Sequence, residues 1–402
     1  MRILIADKFH PRGIERLSEL GHEVLSEPSL SAGDLPETLA AKRPEILIVR
    51  STKVTATSFE AAEGLALVIR AGAGVNTIDL EAASRLGIFV ANCPGKNAIA
   101  VAELTMGLML ALDRRIPDAN ADLRAGVWNK KKYGTGRGLY GRRLGLVGFG
   151  SIAREVATRA LAFGMQVRAY SPTLTAERAD AYDVEVAPSL DALLGDSDVV
   201  SVHVPYREST RHLIGAPQLA LMPEGAVLVH TARGGVVDDR ALSEAVAAGR
   251  IRAGLDVYED EPSGGKAEFN LELRKLEGVY GTPHIGASTQ QAAEAIAAEA
   301  IRIVTSFADR GVVPNTVNLD DHGPARHTLV VRHHDRVGVL ASILDALRKH
   351  QLNVQDMHNV VFKGAEGAAS ATIAVENEPS ADLLDDIRAH ADVLGVDLRT
   401  AR

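Results

Sequence analysis

The sequence predicts an α/β protein: two doubly wound parallel-sheet domains followed by a smaller ferredoxin-like βαββαβ unit. Three observations carry this. Short apolar runs alternate with helical patterns from residue 1 to about 317. A glycine-rich turn, Gly148-Phe149-Gly150-Ser151-Ile152-Ala153, opens a second series of this alternation in mid-chain. After the polar stretch Asn318-Leu319-Asp320-Asp321-His322-Gly323-Pro324 the order changes to strand, helix, strand, strand, helix, strand.

Taken in order, Arg2–Ala6 reads as a strand, Arg12–Leu20 as a helix and Glu23–Leu25 as a short strand. Ile46–Val49, Leu67–Ala71 and Phe89–Ala91 continue the strands. Ala98 to about Gly126 reads as one long helix that Pro117 would kink. The second series starts with the strand Leu144–Val147 and the helix Ser151–Phe163, whose Ile152, Val156, Ala160 and Phe163 share a face. Val167–Tyr170, Val199–Val204, Ala226–His230 and Ala253–Val257 are its further strands. A helix from about Gln290 to Arg310 is expected to lead back to the first domain, leaving a cleft between the lobes. The domains expected are 1–97 with 283–316, then 98–282, a linker at 317–325, and 326–402. In the last, Thr328–Arg332, Asn353–Phe362, Ala369–Val375 and Val393–Arg399 read as strands. Val339–His350 and Ser380–Ala391 read as helices, and Gly364–Gly367 as a turn.

Composition narrows the function classes. The chain has 402 residues, 46% of them apolar, and a net charge of −8. That charge gives no reason to expect nucleic acid or an anionic membrane as partner. A single cysteine, Cys93, excludes an intrachain disulfide and fits a reducing compartment. Met1 to Asp7 reads as a strand, since its apolar run is too short for a signal peptide and an acid follows at once. Ile99 to Leu112 is too short to span a bilayer and carries Glu103, so a buried helix is expected. A cytoplasmic location is the expectation.

The glycine turn is a dinucleotide-binding fingerprint of the Rossmann-like kind. Gly148 allows a tight turn after the strand, and Gly150 lets backbone approach a pyrophosphate. Ala153 is the small residue needed where helix meets strand. The amides at the helix start, from Ser151 and Ile152 on, face the phosphates. An acid is expected some twenty residues on to hold the adenine ribose, but Ser171 stands there. NAD is the cofactor expected, with NADP open.

Three residues each follow a short apolar run: Arg233, Glu261 and His284. Strand ends are where open α/β sheets place their ligands. His284 can exchange a proton with a substrate hydroxyl, and Glu261, hydrogen-bonded to it, would orient the ring. Arg233 can hold a substrate carboxylate bidentately and polarise the carbonyl. After a dinucleotide fingerprint, the three point to hydride transfer on a small 2-hydroxy or 2-keto acid. No metal ligands are expected.

The segments Thr231-Ala232-Arg233-Gly234, Leu255-Asp256-Val257-Tyr258-Glu259-Asp260-Glu261-Pro262 and Thr282-Pro283-His284-Ile285-Gly286 resemble the D-isomer-specific 2-hydroxyacid dehydrogenases. So do Ser201-Val202-His203-Val204-Pro205 and Arg50-Ser51-Thr52, and the resemblance spans residues 1 to about 317. It implies His284 with Glu261 as the acid/base pair and Arg233 as the substrate anchor. It further implies that Asp256 holds the nicotinamide carboxamide, that His203 and Pro205 line the nicotinamide pocket, and that Thr231 and Gly286 border the cofactor. The backbone of Gly72, Ala73 and Gly74 would receive the substrate carboxylate, with Arg50 and Asn97 also on substrate and Lys53 near a phosphate. Thr52 and His230 stand where relatives often carry a second basic residue and an asparagine.

The tail, Arg326 to Arg402, resembles an ACT domain through His333-His334-Asp335-Arg336-Val337-Gly338-Val339-Leu340. By that resemblance His333, Asp335 and Asn353 would contact an amino-acid effector that approaches Gly338 closely. Asp335 stands where serine-binding relatives have asparagine. With this tail, the substrate expected is D-3-phosphoglycerate, oxidised to 3-phosphohydroxypyruvate at the entry to serine synthesis. The alternatives are an NAD(P)H-dependent glyoxylate, hydroxypyruvate or other 2-keto-acid reductase, and a non-catalytic NAD-sensing interaction protein on the same fold. The apolar helix Ile99–Leu112 and the arm around Trp128 predict a homodimer, which ACT pairing would extend to a tetramer.

Overall fold

The structure, a computed structural model, describes residues 1–262, 266–319, 327–364 and 367–400. By its internal contacts the chain divides into Met1–Asn318 and Leu319–Arg402. The sequence-predicted linker Asp320–Pro324 lies outside the described residues, as do two residues of the predicted turn at 364–367.

The first sheet is formed by β1 (Arg2–Ile5), β2 (Glu23–Ser26), β3 (Ile46–Val49), β4 (Leu67–Arg70) and β5 (Phe89–Asn92). They are all parallel, in the order β2-β1-β3-β4-β5. Their side chains alternate between two cores, as a sheet covered on both faces requires. Leu4, Leu47, Val68 and Val90 meet Leu35, Leu39 and Phe59 on one face. Ile3, Ile5, Ile46, Ile48 and Ile69 meet Ile296, Ala300 and Ile303 of the helix Gln290–Arg310 on the other. The chain therefore returns to its first lobe, as expected. It closes along β5, where Val317 N–H donates to Val90 O at 2.8 Å and Asn318 Nδ2 donates to Ile88 O at 2.9 Å.

The second sheet comprises β6 (Arg143–Val147), β7 (Gln166–Tyr170), β8 (Glu185–Val186), β9 (Val199–Val202), β10 (Ala226–His230), β11 (Ile251–Leu255) and β12 (Val279–Gly281). It too is parallel throughout, in the order β12-β11-β10-β9-β6-β7-β8. The strand order reverses between β6 and β9, so the glycine turn after β6 opens at the switch point, where such sheets bind ligands. The two short edge strands β8 and β12 carry too few apolar residues to announce themselves in the sequence. The helix read as one from Ala98 to Gly126 is two, Ala98–Arg114 and Ile116–Arg124. Pro117 does not kink a continuous helix. Arg115 turns left-handed at φ 50° and ends the first helix, and Pro117, with no N–H to satisfy, starts the second. Among the described residues no helix is long and apolar enough to cross a membrane.

The C-terminal unit is a four-stranded antiparallel sheet of β13 (His327–His334), β14 (Val354–Val361), β15 (Ala368–Val375) and β16 (Val393–Thr400), in the order β14-β15-β13-β16. Helices Val339–Lys349 and Ala381–Arg388 bury Ile343, Leu347, Leu383 and Ile387 against it.

Candidate active site

Arg233, Glu261 and His284 follow β10, β11 and β12, three adjacent strands of the second sheet. Their separation in sequence is thereby cancelled. His284 Nδ1–H donates to Glu261 Oε2 at 2.7 Å, and the Tyr258 amide donates to Glu261 Oε1 at 3.1 Å. Burial alone would raise the Glu261 pKa. The hydrogen bond and charge of His284, the Tyr258 amide and Arg233 outweigh it and hold the group below the usual carboxylate range. Glu261 is therefore an acceptor only, the shared proton sits on His284 Nδ1, and Nε2 is the nitrogen left to exchange protons.

His284 is held in the left-handed region at φ 51°, uncommon for a residue with a Cβ. Asp256 supplies the constraint. Its carboxylate, 1% exposed, accepts from Thr282 Oγ1 at 2.6 Å, from Ile285 N at 2.8 Å and from Gly286 N at 2.8 Å. These three bonds straddle His284. Gly286 is needed for this approach, since a Cβ there would lie 2.9 Å from Asp256 Oδ2. Asp256 thus clamps the histidine turn, a role its sequence context did not disclose.

Arg233 reaches toward the other lobe. Its Nη1 donates to Ala232 O at 2.6 Å, and its Nη2 lies against the backbone of Gly74. The turn Gly72-Ala73-Gly74 follows β4. Its carbonyls are tied off from the β5 side, by Cys93 N–H on Gly72 O at 2.9 Å and Asn92 Nδ2 on Ala73 O at 2.6 Å. The amides of Ala73 and Gly74 have no acceptor among the described residues, so the turn can serve as an anion nest. Arg50 stands on the turn after β3, half-buried, and Lys53 is exposed beyond it. Asn97 caps the helix Ala98–Arg114 through its carbonyl, with its side chain making no cap bond.

One residue that sequence reasoning missed belongs here. Arg70 ends β4 as the single charge after Leu67-Val68-Ile69, and that pattern was its signal. Its guanidinium lies over Gly72, and burial together with the positive fields of Arg233 and Arg50 brings its pKa down to about 10. Three guanidiniums therefore gather at one place.

The nucleotide end fits a dinucleotide. Gly148 has φ 91° and a Cβ there would lie 2.7 Å from His203 O, so only glycine allows the turn. Around Gly150 a Cβ would meet nothing within 4 Å, which leaves room in front of the helix Ser151–Ala162 and its first-turn amides. Ala153 is fully buried against the sheet. Half-buried Ser171 follows β7 and Pro205 is exposed after β9. His203 bonds Ser201 Oγ through Nε2 at 2.8 Å, and its buried Nδ1 has no partner among the described residues. Burial, then the nearby His230, lower its pKa to about 3, so it is a neutral ring. His230 Nε2–H donates to Arg233 O at 2.9 Å, and burial lowers its pKa to about 4. Thr231 is 4% exposed and its hydroxyl pairs with Thr105 Oγ1 at 3.0 Å, so its side chain ties sheet to helix.

In the C-terminal unit the four predicted effector residues behave differently. Asp335, Gly338 and Asn353 are exposed. His333 is 1% exposed, with Nδ1 on His334 O at 2.7 Å and Nε2 on Asn359 Oδ1 at 3.2 Å, so its ring is turned inward. Gly338 has φ 94° and open space around it, so its glycine is required by the backbone rather than by crowding.

Residues 106–286 match the family described as D-isomer specific 2-hydroxyacid dehydrogenase, NAD binding domain. The chain is 44% identical over 325 residues to a D-3-phosphoglycerate dehydrogenase of Methanocaldococcus jannaschii, covering 79% of this chain and 60% of that one. It is 46% identical over 270 residues to a hydroxypyruvate reductase of Thermotoga maritima, covering 67% of this chain and 85% of that one. Among solved structures, the TT0316 protein of Thermus thermophilus is similar with a TM-score of 0.70 at 34% identity, over 79% of this chain and all of that one. The chain spans 60% of the length of the archaeal D-3-phosphoglycerate dehydrogenases it matches.

Proposed function

The chain belongs to the D-isomer-specific 2-hydroxyacid dehydrogenases, and from that premise we propose that it interconverts a D-2-hydroxy acid and its 2-keto acid, with D-3-phosphoglycerate as the preferred substrate. The observation that carries the substrate is the gathering of Arg50, Arg70 and Arg233 beside the free amides of Ala73 and Gly74. One carboxylate does not need three guanidiniums; a carboxylate and a phosphate on one small molecule do.

When bound, a nicotinamide dinucleotide supplies the acceptor or donor of the hydride. The protein does the rest. Arg233 and the nest hold the carboxylate and fix which face of the 2-carbon is presented. His284 Nε2 takes the hydroxyl proton in oxidation and returns it in reduction, while Glu261 stabilises the imidazolium so formed. Arg233 also stabilises negative charge growing on the carbonyl oxygen. The buried rings of His203 and His230 are neutral and add no charge beside the site.

A second reading has its own observation. Ser171 places no carboxylate at the adenine ribose, which leaves NADP admissible, and the Thermotoga relative is named for hydroxypyruvate. Assay of a 2-keto-acid panel, with and without phosphate, using NADH and NADPH separates the readings. The highest kcat/KM is expected for 3-phosphohydroxypyruvate. Equal rates for hydroxypyruvate would move the assignment to the reductase, and inertness on every acid would overturn the activity.

Two further parts of the proposal concern assembly and control. Trp128 is 81% exposed, with Leu123 and Val127 beside it in sequence, and this arm supports a homodimer. Sedimentation as a monomer at micromolar concentration would contradict that. The exposed Asp335, Gly338 and Asn353 support binding of an amino acid by the C-terminal unit. Calorimetry of the full chain against L-serine and related amino acids tests it, with no heat of binding as the opposing result.

A further inference from the structure

We propose that Asp7 is a positioning residue for the substrate pocket: its carboxylate fills an amide nest at the switch point of the first sheet and so holds Arg50 in the cleft. This rests on the reading above that Arg50 meets a substrate anion. Strand order in that sheet reverses between β1 and β3, and Asp7 and the Arg50–Thr52 turn follow those two strands. A doubly wound sheet commonly offers this place to a ligand. Here the chain supplies its own anion. The amides of Arg50, Ser51 and Thr52 all donate to Asp7 Oδ2, at 2.7, 3.0 and 3.0 Å. Ser51 Oγ donates to Oδ1 at 2.8 Å, and Thr52 Oγ1 donates to Ala6 O at 3.1 Å. Successive amides converging on one oxygen form a nest. Burial raises the Asp7 pKa, but these bonds outweigh it and keep the group ionised.

Two consequences follow. The amides of the Arg50 turn are already taken, so an incoming anion is held by guanidinium side chains and by the nest after β4. And the role has a sign that charge alone cannot imitate. Asp7 is an acid close to a cationic pocket, so if it acted only through its field, removing it would tighten anion binding. If it acts by holding the turn, removing it weakens that binding.

The test uses full-length Asp7→Asn and Asp7→Ala. It reads KM and kcat for the best acid of the panel, and the calorimetric affinity for oxalate, a dianion with a 2-keto acid's carboxylate geometry. In Asp7→Ala, KM and the oxalate Kd are expected to rise about tenfold with kcat changed by no more than about threefold. Asp7→Asn, which keeps one acceptor oxygen, falls between this variant and the wild type. Added formate, seated in the vacated nest, restores Asp7→Ala toward wild type. A fall in KM or Kd, no change, or parallel loss of kcat and thermal stability without formate rescue overturns the proposal. If Asp7→Ala does not fold, Asp7→Asn decides by the same signs. A wild type inert on every acid but binding oxalate refutes the proposed activity and leaves Asp7 to be judged by oxalate alone. A wild type that does neither refutes both.

Discussion

Gly74 and Arg233 meet across the cleft: a Cβ added to Gly74 would lie 2.8 Å from Nη2 of Arg233. One residue follows a strand of the first sheet and the other a strand of the second. The guanidinium is therefore placed by the absence of a side chain in the opposite lobe, and this is testable.

Gly74→Ala should move the far end of Arg233 and, by a few tenths of an ångström, the Asn76 side chain, whose Oδ1 would lie 3.1 Å from the new Cβ. Gly74 is not in the left-handed region, so no backbone penalty is added. Displacing a flexible tip costs little stability. Catalysis is expected to fall by about tenfold to a hundredfold in kcat/KM, because small misplacements of an anchor are costly, with the melting temperature nearly unchanged. Intact kcat/KM would show that Arg233 is not held from across the cleft.

His284→Ala should lower kcat by roughly a hundredfold or more through loss of proton transfer. Glu261→Gln should lower it too. The Glu261 pKa is depressed in the fold, so its contribution to stability is complete above its ordinary value of 4.5 and is lost as pH falls through the lower folded value. The difference in melting temperature between wild type and Glu261→Gln is therefore expected to be fully present at pH 5 and to shrink in stronger acid. A difference that grows as pH falls below 4.5 would show that Glu261 is not held ionised.

Ser171→Asp should sharpen preference for NAD by repelling a 2′-phosphate and bonding the ribose. The measurement is the ratio of kcat/KM for NADH and NADPH. A strong wild-type preference that the substitution leaves unchanged would mean another group reads the ribose.

Asp239 is 6% exposed, and its pKa is raised to about 6 by burial and then by Glu259, Asp238 and Asp260, although it accepts the Glu259 amide at 3.0 Å. A raised carboxyl pKa means the folded state resists ionisation. Stability is lost as pH rises from the ordinary value of 3.8 through about 6. Asp239→Asn keeps an acceptor for Glu259 and removes the charge. It should raise the melting temperature at pH 8 and change it little at pH 4. Equal effects at both would show that charge is not the cause.

Much of this site was legible because strand ends are legible. Arg233, Glu261 and His284 each close an apolar run, and adjacent parallel strands bring such ends together. Arg70 closes such a run as well, but a lone arginine after three apolar residues looks like any solvated strand end until two further guanidiniums appear beside it. For Asp256 the motif suggested a cofactor contact but not the three donors from the histidine turn, a pairing set by the β11–β12 neighbourhood. Thr231 was expected to border the cofactor and His333 to contact an effector, and the sequence did not show that both side chains bond inward. One residue's shift in register along a strand reverses its face, and motif spacing does not fix that. The break at Arg115 was hidden because a left-handed arginine leaves no mark in composition.

The route of the chain through its two lobes also sets an order of manufacture. The second sheet is encoded without interruption, from Arg143 to Gly281. The first is begun by Ile3 and Ile5 but covered on one face by Ile296, Ala300 and Ile303, which emerge from the ribosome almost three hundred residues later. The lobe made first is thus completed last, and its apolar face stays open through most of synthesis. Contacts this distant in sequence form slowly, and uncovered strands are the usual start of misassembly. Nascent chains halted before residue 290 should accordingly protect their nucleotide lobe from protease while leaving β1 to β5 open to it.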